Sequence, residues 1–390
     1  MVAMLATLAV ANYRSLRQLV VPLGPLNVVS GENGSGKSNL HRALRLLAET
    51  SQGDVVASLA REGGLSSTLW AGPESFGRAV RRGDYAVEPT VRRERVNLRL
   101  GFAGEPLSYS IDIGLPSPID SAFAHDPEIK RECIWAGPHW RPASLLVDRD
   151  GPLVRSRKAR GDWDALTKNL ASFDSMLTQI ADPERAPEIL AVRELIRSWR
   201  FYDHFRTDAD APGRQPQLGT RTVSLSNDGR DVAAALQTIR EIGDSEELDR
   251  AIGSAFPGST LAVPSQNGRF TLELRQHGLL RPLTSSELSD GTLRYLLWIA
   301  ALLTPRPPTL MVLNEPETSL HPDLLPALAN LIGSASERSQ VWVVSHSTKL
   351  IEALHEDPKC QAIVLTKELG ATQVVGQALL DKPVWHWPDR

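Results

Sequence analysis

The chain has 390 residues, 42% of them hydrophobic and 23% charged, with a formal net charge of −3. That length and mix suit one elaborated folded domain or two, and the near-neutral charge excludes a global pull toward nucleic acid or an acidic membrane, though it leaves room for a local basic face. Two cysteines, Cys133 and Cys360, form no metal or redox spacing and suit a reduced, cytoplasmic compartment.

Residues 4–30 read as two strands around a short turn, MLATLAVANY and LVVPLGPLNVVS. Ala9-Val10-Ala11 has the outline of a signal-cleavage site, but no Lys or Arg precedes it, so a first strand is expected. The second strand runs into GENGSGKSNL, and a helix follows with Leu40, Ala43, Leu44 and Leu47 on one face. RVNLRLGFAG and EPLSYSIDIGL read as a hairpin around Gly104–Glu105, and ECIWAG, ASLLV and GPLVRSR add short strands. Asp148-Arg149-Asp150-Gly151 reads as a hairpin turn rather than a metal pair. Residues 163–206 read as helical, interrupted by Pro183 and Pro187, residues 231–256 as further helices, and RFTLELRQ as a strand. TDADAPGRQPQLGT, residues 207–220, is the candidate for a mobile connection. Near the end, SSELSDGTLRYLLWIAALLT reads as a capped helix. TLMVLNE, QVWVVSHS and QAIVLTKE read as strands buried on both faces of a parallel sheet. The longest strongly apolar stretch, Tyr295–Leu303, is too short to span a bilayer, so no membrane is expected.

Gly31-Glu32-Asn33-Gly34-Ser35-Gly36-Lys37-Ser38 fits G-x-x-x-x-G-K-[ST] between a strand and a helix. Such glycines let backbone N–H groups curl around phosphates, the lysine reaches the terminal phosphates, and the hydroxyl of Ser38 ligates magnesium. Asn39 belongs to the same binding set. At the end of the strand Thr309–Leu313, Glu315 is placed to polarise an attacking water as general base. Asn314 stands where such strands usually carry an aspartate. Its carbonyl can accept a hydrogen bond from a metal-bound water but supplies one fewer negative charge. A live but slow ATPase is expected. Ser289 is a natural N-cap, and Gly291 lets backbone approach closely.

With NYRSL, GENGSGKSN, LSDGT, LNEPETSLHP and VVSHS in that order, the chain resembles an ABC-type ATPase of the AAA family, in the SMC/RecF-like, stand-alone "predicted ATPase" group. The resemblance covers the two ends of the chain well and the middle loosely. It implies an α/β, P-loop NTPase fold: an ABC-type head with a mixed central sheet, an antiparallel β subdomain and a compact inserted helical lobe. It implies ATP and Mg2+ as ligands, and an ATP-dependent, head-to-tail homodimer in which Ser289 and Gly291 of one protomer cap the γ-phosphate on the other's P-loop. Thr318, Ser319 and Leu320 then correspond to the D-loop at the seam, His346 to the switch histidine, and Arg14 lies near the base or phosphates. The departures are Thr292 in place of the signature glutamine, Asn314, and the lack of a glutamine in Q-loop context, Gln52 being too close to the P-loop helix.

The expected division is 1–65 and 281–390 for the two halves of the ATPase head, with 66–280 as β subdomain and inserted lobe. No heptad run persists in the insert, so a compact arm is expected rather than a long coiled coil. Basic clusters at Arg78–Arg82, Arg92–Arg95 and Arg155–Arg160 read as solvated surface, with a phosphate-tracking face for DNA as the alternative. Too few residues follow His346 for a nuclease domain. The function expected is an ATP-dependent dimerisation switch with slow hydrolysis, in DNA repair or defence. The alternative is a nucleotide-gated binding module that recruits a separately encoded effector, such as a nuclease. A transporter ATPase fits less well.

Overall fold

The computed structural model describes residues 4–73, 96–117, 121–158, 160–378 and 381–388. Two large sheets organise them. One is eight-stranded and antiparallel, in the spatial order 16–22, 5–13, 98–104, 107–114, 128–136, 145–150, 153–157, 163–167. The other is six-stranded, in the order 200–202, 310–314, 340–344, 26–31, 360–368, 371–374, parallel except for its last strand. Successive side chains of a strand point to opposite faces, which explains the unbroken apolar runs. Val29, Val312, Trp342 and Val344 enter a core shared with the helix Lys37–Glu49 and the antiparallel sheet. Val28, Met311, Leu313, Val341 and Val343 enter a second core with the helices Val232–Ile242, Asp290–Leu302, Leu325–Ser336 and Thr348–His355.

The N-terminal segment forms three strands, not two. The stretch around Pro22 and Pro25 cannot continue a ladder, so Leu16–Pro22 stays with the antiparallel sheet while Leu26–Gly31 joins the parallel one. Buried Gln340 ties the two sheets: its amide accepts from Leu5 N–H (3.0 Å) and donates to the carbonyls of Leu5 (2.8 Å) and Gly24 (2.9 Å).

Residues 163–206 are also more varied than their pattern suggests. Trp163–Thr167 is the edge strand of the antiparallel sheet. Pro187 sits in the first turn of the helix Pro187–Arg197, where its missing N–H costs nothing, and Arg200–Tyr202 is an edge strand beside Leu310–Asn314. RFTLELRQ is two short strands, Arg269–Phe270 and Glu273–Arg275, in different small sheets. The stretch 207–220 is pinned: buried Arg214 donates to the carbonyls of Thr207 (2.9 Å), Ser285 (2.9 Å) and Leu288 (2.8 Å). Among the described residues no helix is long and apolar enough to cross a membrane. The clusters Arg78–Arg82 and Arg92–Arg95 lie outside the described residues.

Asp148 to Asp150 complete the strand Leu145–Asp150, and the turn follows at Gly151. Arg149 points inward and is fully buried with Glu132, Nη1 to Oε2 at 2.6 Å. Glu132 also accepts from Tyr109 Oη (2.7 Å), Ser175 Oγ (2.5 Å) and the Met176 N–H (2.8 Å). The guanidinium donates to the carbonyls of Gly151, Ala171 and Asp174. Burial beside this carboxylate raises the Tyr109 pKa well above its ordinary value. Breaking one partner of a buried pair leaves the other charge uncompensated, which costs about 3–5 kcal/mol. Arg149→Met should therefore lose about that much in denaturant unfolding, and Arg155→Met, whose partly exposed side chain pairs with Asp148, distinctly less. Equal losses in the two variants would contradict the assignment.

Candidate active site

Strands 26–31, 340–344, 310–314 and 200–202 lie side by side and send their carboxyl ends to one rim. The crevice outside those ends is where open α/β sheets bind ligands.

The chain leaves Gly31 through left-handed backbone at Gly31, Gly34 and Gly36, with φ of 137°, 79° and 114°, before the helix begins at Lys37. Packing reinforces the choice of glycine. A Cβ on Gly31 would stand 2.2 Å from the Leu365 carbonyl oxygen, and one on Gly36 2.1 Å from Thr372 Oγ1. Thr372 Oγ1 donates to the Ser35 carbonyl (2.8 Å) and accepts from Ser15 Oγ (2.7 Å), which in turn accepts from Asn39 Nδ2 (2.8 Å). Asn39 thus braces the loop from behind. Glu32, Asn33, Gly34 and Ser38 are exposed at its crest. Lys37 is only 4% exposed, and its ammonium donates to the carbonyls of Gly31 (2.5 Å) and Glu32 (2.8 Å). Burial holds its pKa below the usual lysine value, and the Glu315 carboxylate pulls the other way.

Glu315 follows its strand in left-handed backbone, φ 50°, with its N–H donating to the Val344 carbonyl (2.8 Å). This fixes it against the strand that leads to His346. The two side chains meet, Glu315 Oε1 to His346 Nε2 at 3.0 Å, each about two-fifths exposed (44% and 41%). Asn314 is partly buried at the strand end.

Ser289 caps the helix Asp290–Leu302. Its Oγ accepts from the Thr292 N–H (3.1 Å) and meets Thr292 Oγ1 (2.8 Å), so the residue in place of glutamine holds the cap. A Cβ on Gly291 would lie 3.2 Å from the Ser319 carbonyl oxygen, and buried Arg294 donates to the Thr318 carbonyl (2.8 Å) and the Phe205 carbonyl (2.9 Å). Arg214 pairs with Asp290 (2.7 Å) at the helix start. No hydrogen bond or ion pair among the described residues joins Ser289 or Gly291 to the P-loop of the same chain.

The Arg14 guanidinium pairs with Glu62 at 2.7 Å. Four contributors escaped the motif reading. Thr372 and Arg214 carry no motif. Asp203 stands just past a strand mistaken for helix, 3.0 Å from His41 Nε2 and 2.6 Å from Arg45 Nη2 on the P-loop helix. Burial pushes its pKa up, but those two bases outweigh burial and hold it below the ordinary aspartate value. Glu317 binds the segment around His346; its proximity to Glu315 in sequence was the available signal.

The candidate oxygen ligands are the hydroxyl of exposed Ser38, next to Lys37, and the amide carbonyl of Asn314 at the strand end, neither side chain hydrogen-bonded among the described residues. Among the described residues no cluster of three or more His, Cys, Asp or Glu could hold a metal ion. A hydroxyl and an amide oxygen fit Mg2+, which keeps several waters and leans on substrate phosphates.

A family model described as "AAA domain, putative AbiEii toxin, Type IV TA system" matches residues 26–352. No curated protein matches the chain. Among solved structures, an SmcHead bound to the C-winged helix domain of ScpA is 15% identical, with 97% of this chain and 99% of that one covered and a TM-score of 0.52. The SMC head domain from Thermotoga maritima is 14% identical, with 95% and 98% covered and a TM-score of 0.44. The first of these shows the fold, that of an ABC-type SMC head. With the family model spanning most of its length, the chain belongs to this AAA-domain family, and its fold is that of a P-loop, SMC-type head.

Proposed function

We propose that the protein is an ATP-driven dimerisation switch that hydrolyses ATP slowly. The supporting observation is the Glu315–His346 pair, held by adjacent parallel strands at the rim where Lys37 lies within electrostatic reach of Glu315.

In this reading the backbone of Gly31–Ser38 and the Lys37 ammonium bind the phosphates, and the dipole of the helix starting at Lys37 favours their charge. Lys37 exchanges its two carbonyl acceptors for phosphate oxygens. Ser38 and Asn314 would hold Mg2+, which when bound supplies charge neutralisation at the phosphates. Glu315 takes the proton of the attacking water at its carboxylate, and His346 orients that carboxylate and contacts the γ-phosphate. Ser289 and Gly291 act on the nucleotide of a second protomer, in keeping with the lack, among the described residues, of a hydrogen bond or ion pair from them to their own P-loop. Slowness is assigned to Asn314, the neutral residue that would stand beside the metal. The reading gives no DNA contact to Arg155–Arg160, three of whose four basic side chains are engaged: Arg155 pairs with Asp148 (2.8 Å) and lies over Trp163, Arg157 donates to the Ala143 carbonyl (2.7 Å), and Lys158 faces Asp164 (3.7 Å). The family's toxin description favours a role in defence.

Lys37→Ala should weaken ATP binding roughly tenfold to a hundredfold, the worth of a charge-assisted contact. Equilibrium titration with a fluorescent ATP analogue checks this, and unchanged affinity would remove the P-loop assignment.

Ser289→Arg should leave ATP binding intact and abolish the ATP-induced dimer, read as mass in solution with a non-hydrolysable analogue. A dimer that survives the change excludes the sandwich.

Glu315→Gln keeps the shape and removes the base. Turnover should fall by about 10²–10⁴-fold, with an ATP-bound dimer accumulating. Asn314→Asp adds a carboxylate at nearly constant volume and should lower the Mg2+ concentration needed for half-maximal turnover. If Glu315→Gln hydrolyses ATP at the wild-type rate, the general-base assignment fails, and the binding-module reading replaces this one.

A further inference from the structure

Glu317 lies in the turn that follows Glu315, and one of its oxygens gathers donors from a single stretch of chain. Oε1 accepts from Ser345 Oγ at 2.7 Å, from the His346 N–H at 2.8 Å and from the Ser347 N–H at 3.0 Å. That stretch leads from the strand Gln340–Val344 into the helix Thr348–His355, whose N-cap is Ser347. A carboxylate there is favoured by the partial positive charge of the helix N-terminus. Hydrogen bonds to an ionised acceptor are roughly twice as strong as neutral ones, so the backbone that carries His346 is clamped. From that clamped backbone the imidazole reaches Glu315 Oε1 at 3.0 Å.

The other side of the same turn touches the signature helix, Asp290–Leu302. The Thr318 carbonyl accepts from Arg294 Nη1 (2.8 Å), and the Ser319 carbonyl closes on Gly291. A continuous path of contacts therefore runs from the Ser289–Gly291 cap, through Thr318–Ser319 and the Glu317 carboxylate, to the Glu315–His346 pair. Meanwhile Glu317 Oε2 is buried and has no partner among the described residues. A buried, unpaired carboxylate oxygen costs stability, so fold stability alone does not account for this glutamate.

We infer that Glu317 is a positioning residue for hydrolysis. It holds the His346 backbone so that the imidazole meets Glu315, and it passes displacement of Thr318–Ser319 at the protomer seam to that pair. The inference rests on the reading of Glu315 and His346 given above.

The test is Glu317→Gln, which keeps the shape and removes the charge, made alone and with His346→Ala. ATP affinity and KM should stay within about twofold, while kcat falls about tenfold to a hundredfold, the scale of a misplaced catalytic group. With His346→Ala already present, Glu317→Gln should cost nothing further, because the two changes remove one function. An unchanged kcat overturns the inference, and so does an equal loss in both backgrounds, the mark of a merely structural role. If Glu317→Gln does not fold, Ser345→Ala removes one donor and leaves the carboxylate charged. Its smaller fall in kcat should likewise vanish with His346→Ala, and an equal fall in both backgrounds overturns the inference. A dead Glu315→Gln beside a fully active Glu317→Gln removes this inference alone. A fully active Glu315→Gln removes the base assignment beneath it.

Discussion

The loop from Gly31 to Lys37 is wedged against the hairpin of strands 360–368 and 371–374, and it fits only because two of its residues have no side chain. Leu365 and Thr372 occupy the space that a Cβ on Gly31 or Gly36 would need. That contact sets where the loop's N–H groups point and where the helix Lys37–Glu49 begins. It also sets where the Lys37 ammonium can reach. Everything on the rim is measured from there. The strand bearing Val344 pairs with the P-loop strand on one side and with the Glu315 strand on the other, so the loop, His346 and Glu315 are held in one frame by backbone hydrogen bonds. Glycine in this loop is therefore a packing requirement as well as a conformational one.

A second feature is how the signature helix is held. Arg214 and Arg294 satisfy carbonyls from the chain segments around it, at Thr207, Ser285, Leu288, Phe205 and Thr318. Buried guanidinium groups with several acceptors resist small adjustments, since any shift strands a donor. The Ser289–Gly291 cap is thus rigidly held, as the proposed dimer requires. Asp203, bound to His41 and Arg45, connects the P-loop helix to the segment that runs on to Thr207 and Arg214. The nucleotide side and the signature side of one protomer are joined through that segment.

The motifs at the rim were legible because each needs particular residue types at fixed spacing: glycines and a lysine in the P-loop, a glutamate at the end of an apolar strand, a serine cap. The parallel strands were legible as apolar runs, since both faces of that sheet are covered. What escaped was decided by distant contacts. Residues 207–220 have the composition of a loose linker, yet Arg214 finds three buried carbonyls there and in the approach to the signature helix. Arg200–Tyr202 is a strand of only three residues, too short to show a period against its helical flanks. The split at Pro22 to Pro25 is marked by the prolines alone, because the residues on either side are equally apolar. Glu317 lies two residues past Glu315, and nothing in its spacing distinguishes it from a solvated turn carboxylate.

The central claim is that each hydrolytic site is assembled from two protomers, with the P-loop of one and the Ser289–Gly291 cap of the other. Mixing two inactive proteins tests it most directly. The Lys37→Ala protein keeps its cap and loses the lysine that grips the phosphates, while the Ser289→Arg protein keeps its P-loop and loses its cap. In a mixed dimer one site pairs the intact P-loop with the intact cap, and the introduced arginine faces the weakened P-loop. The account predicts that ATP turnover, absent from either protein alone, reappears on mixing and rises with the concentration of either partner. A mixture as inactive as its components would contradict it.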